Sequence, residues 1–142
     1  MFPPAKLAIF QVAVLNPMSP AALVVDDSML IRHTVCRFLE ARGFEVESAT
    51  NGAEALEKLA EMRPAVIITD LEMPKMSGLE LISALKARPE SAAIPVVVLA
   101  GRRSDSTPFL DTRVSFVIHK ETDIEEQLDR ALAAVLGQPK AN

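Results

Sequence analysis

The feature that most constrains the fold is a short apolar run that ends in a carboxylate. Residues 65–68 read Ala-Val-Ile-Ile, and Thr69 and Asp70 follow directly. A run this short, bounded by Pro64, is typical of a strand buried on both faces, which predicts a central place in a parallel sheet. Asp70 then lies at the carboxyl end of that strand, where open α/β sheets place ligands and chemistry.

Length and composition predict one globular domain. A chain of 142 residues is one domain by length, and its fractions of 49% hydrophobic and 24% charged residues are ordinary for a globular protein. The net charge of -4 and the absence of a Lys/Arg block argue against nucleic acid as the main partner. The lone cysteine, Cys36, cannot form an internal disulfide, which favours a reducing, cytoplasmic compartment.

The chain divides into an N-terminal extension at 1–20, a domain at 21–137 and a C-terminal tail at 138–142. Residues 7–15 are apolar except for Gln11. This run is shorter than the roughly 20 residues needed to span a bilayer, and no good cleavage site follows it. We therefore expect no membrane partner and no secretion, and interpret the extension as a segment that packs on the domain or forms a tail.

Strand and helix patterns alternate along the domain. The predicted strands are 21–25, 44–49, the run that ends at Asp70, 95–99 and 114–118. Helices are expected after Ser28 and Asn51, and after the capping-box spacings that begin at Ser77 and Thr122. Residues 101–113 contain few helix formers, so we expect a short or irregular fourth helix there. The alternation predicts a doubly wound, five-stranded parallel sheet with helices on both faces.

Three carboxylates are expected at one edge of this sheet. Asp26 and Asp27 follow the first strand, and Asp70 follows the third. Adjacent acids repel each other, and a fold tolerates them when a cation lies between them. A site made of carboxylate oxygens selects Mg²⁺ or Mn²⁺ over softer metals, so the sequence predicts a divalent-cation site.

With these residues the chain resembles a response-regulator receiver domain of the flavodoxin-like fold. The resemblance covers residues 21–137 and is carried by the pair Asp26-Asp27, by the segment Asp70-Leu71-Glu72-Met73-Pro74-Lys75-Met76-Ser77-Gly78, and by Lys120 after the fifth strand. An acidic pair alone is common. Joined to an apolar strand that ends in this aspartate-to-glycine turn, it is specific.

The resemblance implies a role for each of these residues. Asp70 would accept a phosphoryl group from a histidine kinase or a phosphotransfer protein, and the output would be a contact with a downstream protein target. Asp27 and Asp70 would bind the metal directly, Asp26 through water, and Glu72 through its main-chain carbonyl. Lys120 would pair with a phosphoryl oxygen. Beyond self-phosphorylation and slow self-dephosphorylation, no enzyme activity is expected.

The sequence departs from the family pattern at the positions that usually form its switch. Ala100 stands where receivers carry Ser or Thr, so the hydroxyl that would bind the phosphoryl group is missing. Glu121 replaces the proline that usually follows the lysine, which predicts a trans bond because a cis bond before a non-proline residue costs about 2.5–4 kcal/mol. The aromatic switch position falls on Val117, or on Phe116 if His119 takes the place of the lysine. A fixed cation at Lys120 suits a phosphate better.

Two charged residues lie where attacking water would approach in family members. Glu72 is two residues after Asp70, and Arg102 is two residues after Ala100. We hypothesise that an ion pair between Glu72 and Arg102 shields the aspartyl phosphate and slows its hydrolysis.

Two functional hypotheses follow. The first is a single-domain response regulator phosphorylated on Asp70. The second, favoured by Ala100 and Glu121, is a pseudo-receiver that binds proteins without phosphorylation. A haloacid-dehalogenase-like phosphatase is disfavoured, since residues 26–30 read Asp-Asp-Ser-Met-Leu and lack its D-x-D-x-T motif.

Overall fold

The computed structural model of the protein describes residues 20–101 and 113–137. The strands are Ala21–Val25 (β1), Glu45–Ala49 (β2), Val66–Asp70 (β3), Val96–Ala100 (β4) and Phe116–His119 (β5). The helices in the described part are Met29–Ala41 (α1), Gly52–Leu59 (α2), Gly78–Lys86 (α3), the single turn Pro89–Ala92 (α4) and Ile124–Leu136 (α5). None of these helices is both long and apolar enough to cross a membrane.

The strands form one parallel sheet in the order β2-β1-β3-β4-β5. All five residues of β3 are buried, and β3 lies at the centre of the sheet, as its apolar sequence predicts. The polar and apolar residues of β2 alternate, and β2 lies at one edge. The predicted flavodoxin-like, doubly wound architecture is confirmed.

Successive strand residues face opposite sides of the sheet and build two cores. Ala22 and Val24 of β1 belong to the core beneath α1 and α5. Leu23 and Val25 belong to the core beneath α2 and α3. Both faces of the central strands are therefore covered, which leaves the ends of the strands as the place where polar groups can meet.

Local caps start the first three helices where the sequence predicts them. The Ser28 hydroxyl accepts a hydrogen bond from Ile31 N–H at 3.3 Å, and Asn51 Oδ1 accepts one from Glu54 N–H at 2.9 Å. At α3 the Ser77 side chain and the Glu80 side chain each accept a bond from the other residue's N–H, which completes a capping box.

The cap of α5 differs from the prediction by one residue. The predicted capping box from Thr122 to Glu125 is wrong. Asp123 is the N-cap, and its side chain accepts a hydrogen bond from Glu126 N–H at 3.1 Å. The Thr122 hydroxyl instead donates to the carbonyl of His119 at 3.2 Å. The turn that precedes the helix uses Thr122, which leaves the capping position to the next residue.

Two further features differ from the expected element bounds. The fifth strand begins at Phe116 and not at residue 114, because pairing with β4 starts at Phe116, while Val114 packs against the core beneath α2 and α3. The single turn α4 was not predicted; it begins at Pro89, whose fixed φ suits the first helical position. The expected irregular fourth helix at 101–113 lies almost entirely outside the described residues.

A candidate acidic phosphoacceptor site

Four charged side chains converge at the carboxyl edge of the sheet. Asp26 and Asp27 follow β1, Asp70 ends β3, and Lys120 follows β5. One carboxylate oxygen from each of the three acids lies within 4.8 Å of the others. Parallel strands bring these residues together because all their carboxyl ends meet at one edge.

Asp26 is held rigidly before any ligand binds. The residue is 0% exposed, and its Oδ1 accepts a hydrogen bond from Ser28 N–H at 2.8 Å. Its backbone N–H donates to the Ala49 carbonyl at 3.1 Å, and its own carbonyl accepts from Arg32 Nη1 at 2.7 Å. The carboxylate is therefore fixed by the backbone on one side and by the first helix on the other.

Asp70 is 6% exposed at the base of the pocket. Its Oδ1 accepts from Leu71 N–H at 2.8 Å. Burial, and after it the negative charge of Asp26, raise the pKa of Asp70, while Lys120 and the Leu71 N–H oppose that rise. The folded state therefore disfavours the ionised form of Asp70, and a bound cation would reduce that free-energy cost.

Lys120 supplies the positive charge of the pocket. Its Nζ lies 2.9 Å from Asp26 Oδ2 and 3.2 Å from Asp70 Oδ1. Burial by itself would lower the pKa of Lys120, but the bonds and charges of the two acids outweigh it, and the pKa is raised. His119 is exposed and the Lys120 ammonium reaches the acids, so the geometry favours Lys120 as the lysine of the family pattern.

The second oxygen of Asp26 is fully buried and has one partner. Lys120 Nζ lies 2.9 Å from Asp26 Oδ2 as a charge-assisted contact, and no other donor among the described residues bonds that oxygen. A buried carboxylate oxygen in an acidic cluster is a natural ligand for a hard divalent cation. Because Asp27 is exposed, the cluster is open to solvent on one side. The residues present therefore fit Mg²⁺ or Mn²⁺.

The remaining predicted site residues lie around this pocket or beyond the described residues. Glu72 is exposed in the turn after β3, and its carbonyl as a ligand stays a prediction. Arg102 lies outside the described residues, so its proposed pair with Glu72 stays untested. Val117 packs toward the α2 and α3 side of the sheet, whereas Phe116 packs toward α1 and α5.

Ala100 ends β4 beside the pocket. It is buried, its side chain is a methyl group, and its carbonyl accepts from Lys120 N–H at 2.9 Å. The backbone at this position thus anchors the lysine, while the side chain offers no donor to a phosphoryl group. Among the described residues no peptide bond is cis, so the bond between Lys120 and Glu121 is trans, as predicted.

The turn after Asp70 is closed by backbone bonds that need a glycine at its end. Gly78 N–H donates to the Leu71 carbonyl at 2.8 Å. A Cβ at position 78 would lie 2.8 Å from Leu71 Cα and in steric overlap with the Asp70 carbonyl oxygen. Gly52 N–H donates to the Met76 carbonyl at 3.1 Å, which ties the same turn to α2.

Two long-range contacts next to the site were missed in the sequence. Arg32 bonds the backbone of Asp26, and Gln127 bonds the backbone of His119, the residue before Lys120. Neither contact follows a local spacing rule, since each joins a helix side chain to the backbone of a loop or strand end. No sequence signal of the kind used for caps could have found them.

Comparison with known proteins places this geometry in a family. Residues 22–132 match the model of the response regulator receiver domain. Response regulator MprA of Mycobacterium ulcerans is 36% identical over 118 residues, which are 82% of this chain and 50% of that protein. Transcriptional regulatory protein PrrA of Mycobacterium tuberculosis is 42% identical over 86 residues, 61% of this chain and 36% of that protein. The chain thus spans half or less of the length of these relatives.

Solved structures share the fold over nearly their whole length. The chemotaxis response regulator CheY4 of Vibrio cholerae superposes with a TM-score of 0.72 at 31% identity, over 82% of this chain and 98% of that one. A sensor protein from Polaromonas sp. JS666 gives a TM-score of 0.74 at 28% identity, over 83% and 97%. Fold, acidic pocket and family match agree, and the chain belongs to the receiver-domain family of two-component response regulators.

Proposed function

We propose that this chain is a cytoplasmic response-regulator receiver that accepts a phosphoryl group on Asp70 and signals by contacts with a downstream protein. The donor would be a histidine kinase or a phosphotransfer protein. One observation carries the proposal: Asp26, Asp27, Asp70 and Lys120 meet in one pocket, where the buried Asp26 Oδ2 has the Lys120 ammonium as its only partner among the described residues.

The proposed reaction is an in-line displacement at phosphorus. A carboxylate oxygen of Asp70 attacks the phosphorus of a phosphohistidine, the new O–P bond forms, and the P–N bond breaks with its electrons going to the imidazole nitrogen. Leu71 N–H and Lys120 orient the attacking carboxylate. Lys120 is the fixed point charge for a phosphoryl oxygen, so most of the catalysis is positioning and electrostatics.

A divalent cation would be held by Asp26, Asp27 and Asp70, together with the main-chain carbonyl of Glu72. Bound there, it neutralises negative charge on the oxygens of the transferring group. Without it, the incoming phosphoryl group would meet three carboxylates and, among the described residues, one nearby ammonium, which is an unfavourable balance of charge.

The test is incubation with acetyl phosphate and Mg²⁺, followed by intact mass measurement. We expect an adduct of one phosphoryl group on the wild-type chain, none on Asp70→Asn, and none when EDTA removes the metal. An adduct of equal yield on Asp70→Asn would place the acceptor elsewhere and contradict the proposal.

The proposed shielding of the phosphate has its own test. If Glu72 and Arg102 keep water from the aspartyl phosphate, Glu72→Ala and Arg102→Ala both speed the loss of the phosphoryl group. The measurement is the decay of the adduct after acetyl phosphate is removed. An unchanged decay rate in either variant rejects the idea.

A second candidate function is the pseudo-receiver, a protein-binding module that works without phosphorylation. It is favoured by Ala100, which offers no hydroxyl, and by the contacts of Lys120 with Asp26 and Asp70, which already balance part of the charge. A wild-type chain that binds Mg²⁺ but never forms the adduct would support this function over the first.

A further inference from the structure

The outer edge of β5 carries backbone groups that β4 does not reach. In the part of the chain that the structure describes, β5 is the last strand of the sheet and pairs only with β4. Lys120 N–H continues that pairing to the Ala100 carbonyl at 2.9 Å. The N–H and carbonyl of the preceding residue, His119, are bonded on the other side, where edge strands usually expose free groups.

The side chain of Gln127 takes the place of a neighbouring strand. Its Oε1 accepts from His119 N–H at 2.9 Å, and its Nε2 donates to the His119 carbonyl at 2.8 Å. The same Nε2 lies 2.7 Å from the Thr122 hydroxyl and 3.2 Å from the Asp123 carbonyl. A carboxamide can make this two-way bond because it carries both an acceptor and a donor.

His119 is also the first residue of the turn that contains Lys120. Thr122 N–H donates to the His119 carbonyl at 3.3 Å, which closes a four-residue turn with Lys120 in its second position. The backbone of Lys120 is thus fixed by Ala100 on one side and, through His119, by Gln127 on the other. Its flexible side chain starts from this backbone and places Nζ 2.9 Å from Asp26 and 3.2 Å from Asp70.

We infer that Gln127 is a positioning residue for Lys120, which it aims into the acidic pocket by holding both backbone groups of His119. The consequence for phosphoryl transfer rests on the proposed function, in which Lys120 pairs with a phosphoryl oxygen. This pair of bonds, here called the Gln127 clamp, holds the first residue of a turn whose third residue, Glu121, lacks the fixed φ of a proline.

The first test compares phosphorylation rates in two backgrounds. With acetyl phosphate and Mg²⁺, Gln127→Ala should slow adduct formation roughly five- to twentyfold, the effect expected when a catalytic group is misplaced. Glu125→Ala, an exposed position on the same helix, is the matched control and should leave the rate unchanged. In a Lys120→Ala background, Gln127→Ala should add no further loss.

An equal fractional loss in both backgrounds would overturn the inference, since Gln127 would then act on the fold and not through Lys120. The inference is also overturned if Gln127→Ala forms the adduct as fast as the control variant Glu125→Ala. Should Gln127→Ala fail to fold, Gln127→Met replaces it in both tests. Methionine keeps the length and apolar stem of the side chain and removes both bonds to His119.

The second test needs no phosphorylation. Lys120 competes with a cation for Asp26 and Asp70, so a displaced ammonium should raise the affinity for Mg²⁺ alone. We expect Gln127→Ala to bind Mg²⁺ roughly two- to fivefold more tightly in the wild-type background, and to have no effect in Lys120→Ala, because removal of a nearby like charge favours the cation. If the wild-type chain forms no adduct, the proposed function fails, but the Mg²⁺ titration still tests whether Gln127 positions Lys120. An unchanged Mg²⁺ affinity in Gln127→Ala would overturn that inference.

Discussion

At the scale of single residues, the described part of the pocket places three carboxylates around one ammonium, that of Lys120. Asp26 and Asp70 are both buried, and each is in contact with the ammonium of Lys120. Since like charges this close repel strongly away from water, the lysine keeps the two acids together in the absence of a metal. Substitutions in the pocket should therefore have effects that depend on the cation present.

Lys120→Met should destabilise the protein in EDTA by up to about 3 kcal/mol, the lower end of the range for a broken buried pair, because it leaves two buried carboxylates without a partly exposed cation. Added Mg²⁺ should recover most of this loss by replacing the missing positive charge. Urea unfolding with EDTA and with Mg²⁺ measures both values. Lys58→Met, which breaks only the exposed pair with Glu47, should cost about 0–1 kcal/mol in both buffers. Equal losses for Lys120→Met in the two buffers would contradict the prediction.

Ala100→Ser should restore a donor next to the phosphoryl group. We expect the rate of adduct formation from acetyl phosphate to rise roughly three- to tenfold, less than the 10²–10³ of a fully preorganised oxyanion donor. Ala100→Val adds volume without a donor and should not raise the rate. A faster reaction in Ala100→Val would show that packing, and not the missing hydroxyl, limits the present site.

At the scale of elements, the turn between β3 and α3 decides where Asp70 can lie. The turn is bonded across its base by Gly78 and Leu71, and to α2 by Gly52 and Met76. Lys75 adopts φ 69°, inside a tight turn closed by a bond of 2.7 Å from Met76 N–H to the Pro74 carbonyl. A non-glycine residue is strained at a positive φ, so the hydrogen bonds around the turn must stabilise this backbone conformation of Lys75.

Gly78→Ala should destabilise the protein by about 1–3 kcal/mol or more, because its Cβ overlaps the backbone of Asp70 and cannot be relieved by a side-chain rotation. Thermal unfolding measures this loss. Gly101→Ala is the matched control, since no atom of the described residues lies within 4 Å of a Cβ there. Equal stability of the two variants would mean that the turn yields more easily than its bonds suggest.

At the scale of the whole molecule, the two apolar cores stabilise a sheet whose carboxyl edge carries an electrostatic cost. Each face of the sheet is covered by a cluster of buried apolar side chains. The raised pKa of Asp70 shows that the folded state disfavours its charge, so this group stabilises the protein at low pH and loses that contribution as pH rises through its folded pKa. At neutral pH the charge of Asp70 thus disfavours folding, and a bound cation would reduce that cost.

Asp70→Asn should therefore be more stable than the wild-type chain at neutral pH in EDTA, and the advantage should shrink as the pH is lowered. Mg²⁺ should stabilise the wild-type chain by about 1–3 kcal/mol when its concentration greatly exceeds Kd, and should stabilise Asp70→Asn much less. The measurement is chemical unfolding across pH with and without Mg²⁺. A wild-type chain more stable than Asp70→Asn in EDTA would refute the charge argument.

The sequence by itself determined the features that depend on neighbours along the chain. The apolar run before Asp70 predicts the central strand, Ser28, Asn51 and Ser77 predict caps, and the acids at strand ends predict a common edge. Each of these follows from a local periodicity or a short spacing, which packing in this fold leaves intact.

Only the tertiary structure decided the contacts between distant backbone and side-chain groups. The reach of Lys120 to Asp26 and Asp70, the bond from Arg32 to Asp26, and the hold of Gln127 on His119 depend on which groups lie opposite each other in space. The same is true of Asp123, which caps α5 because the preceding turn uses Thr122. Such choices are made by the geometry of neighbouring elements, so no spacing in the sequence encodes them.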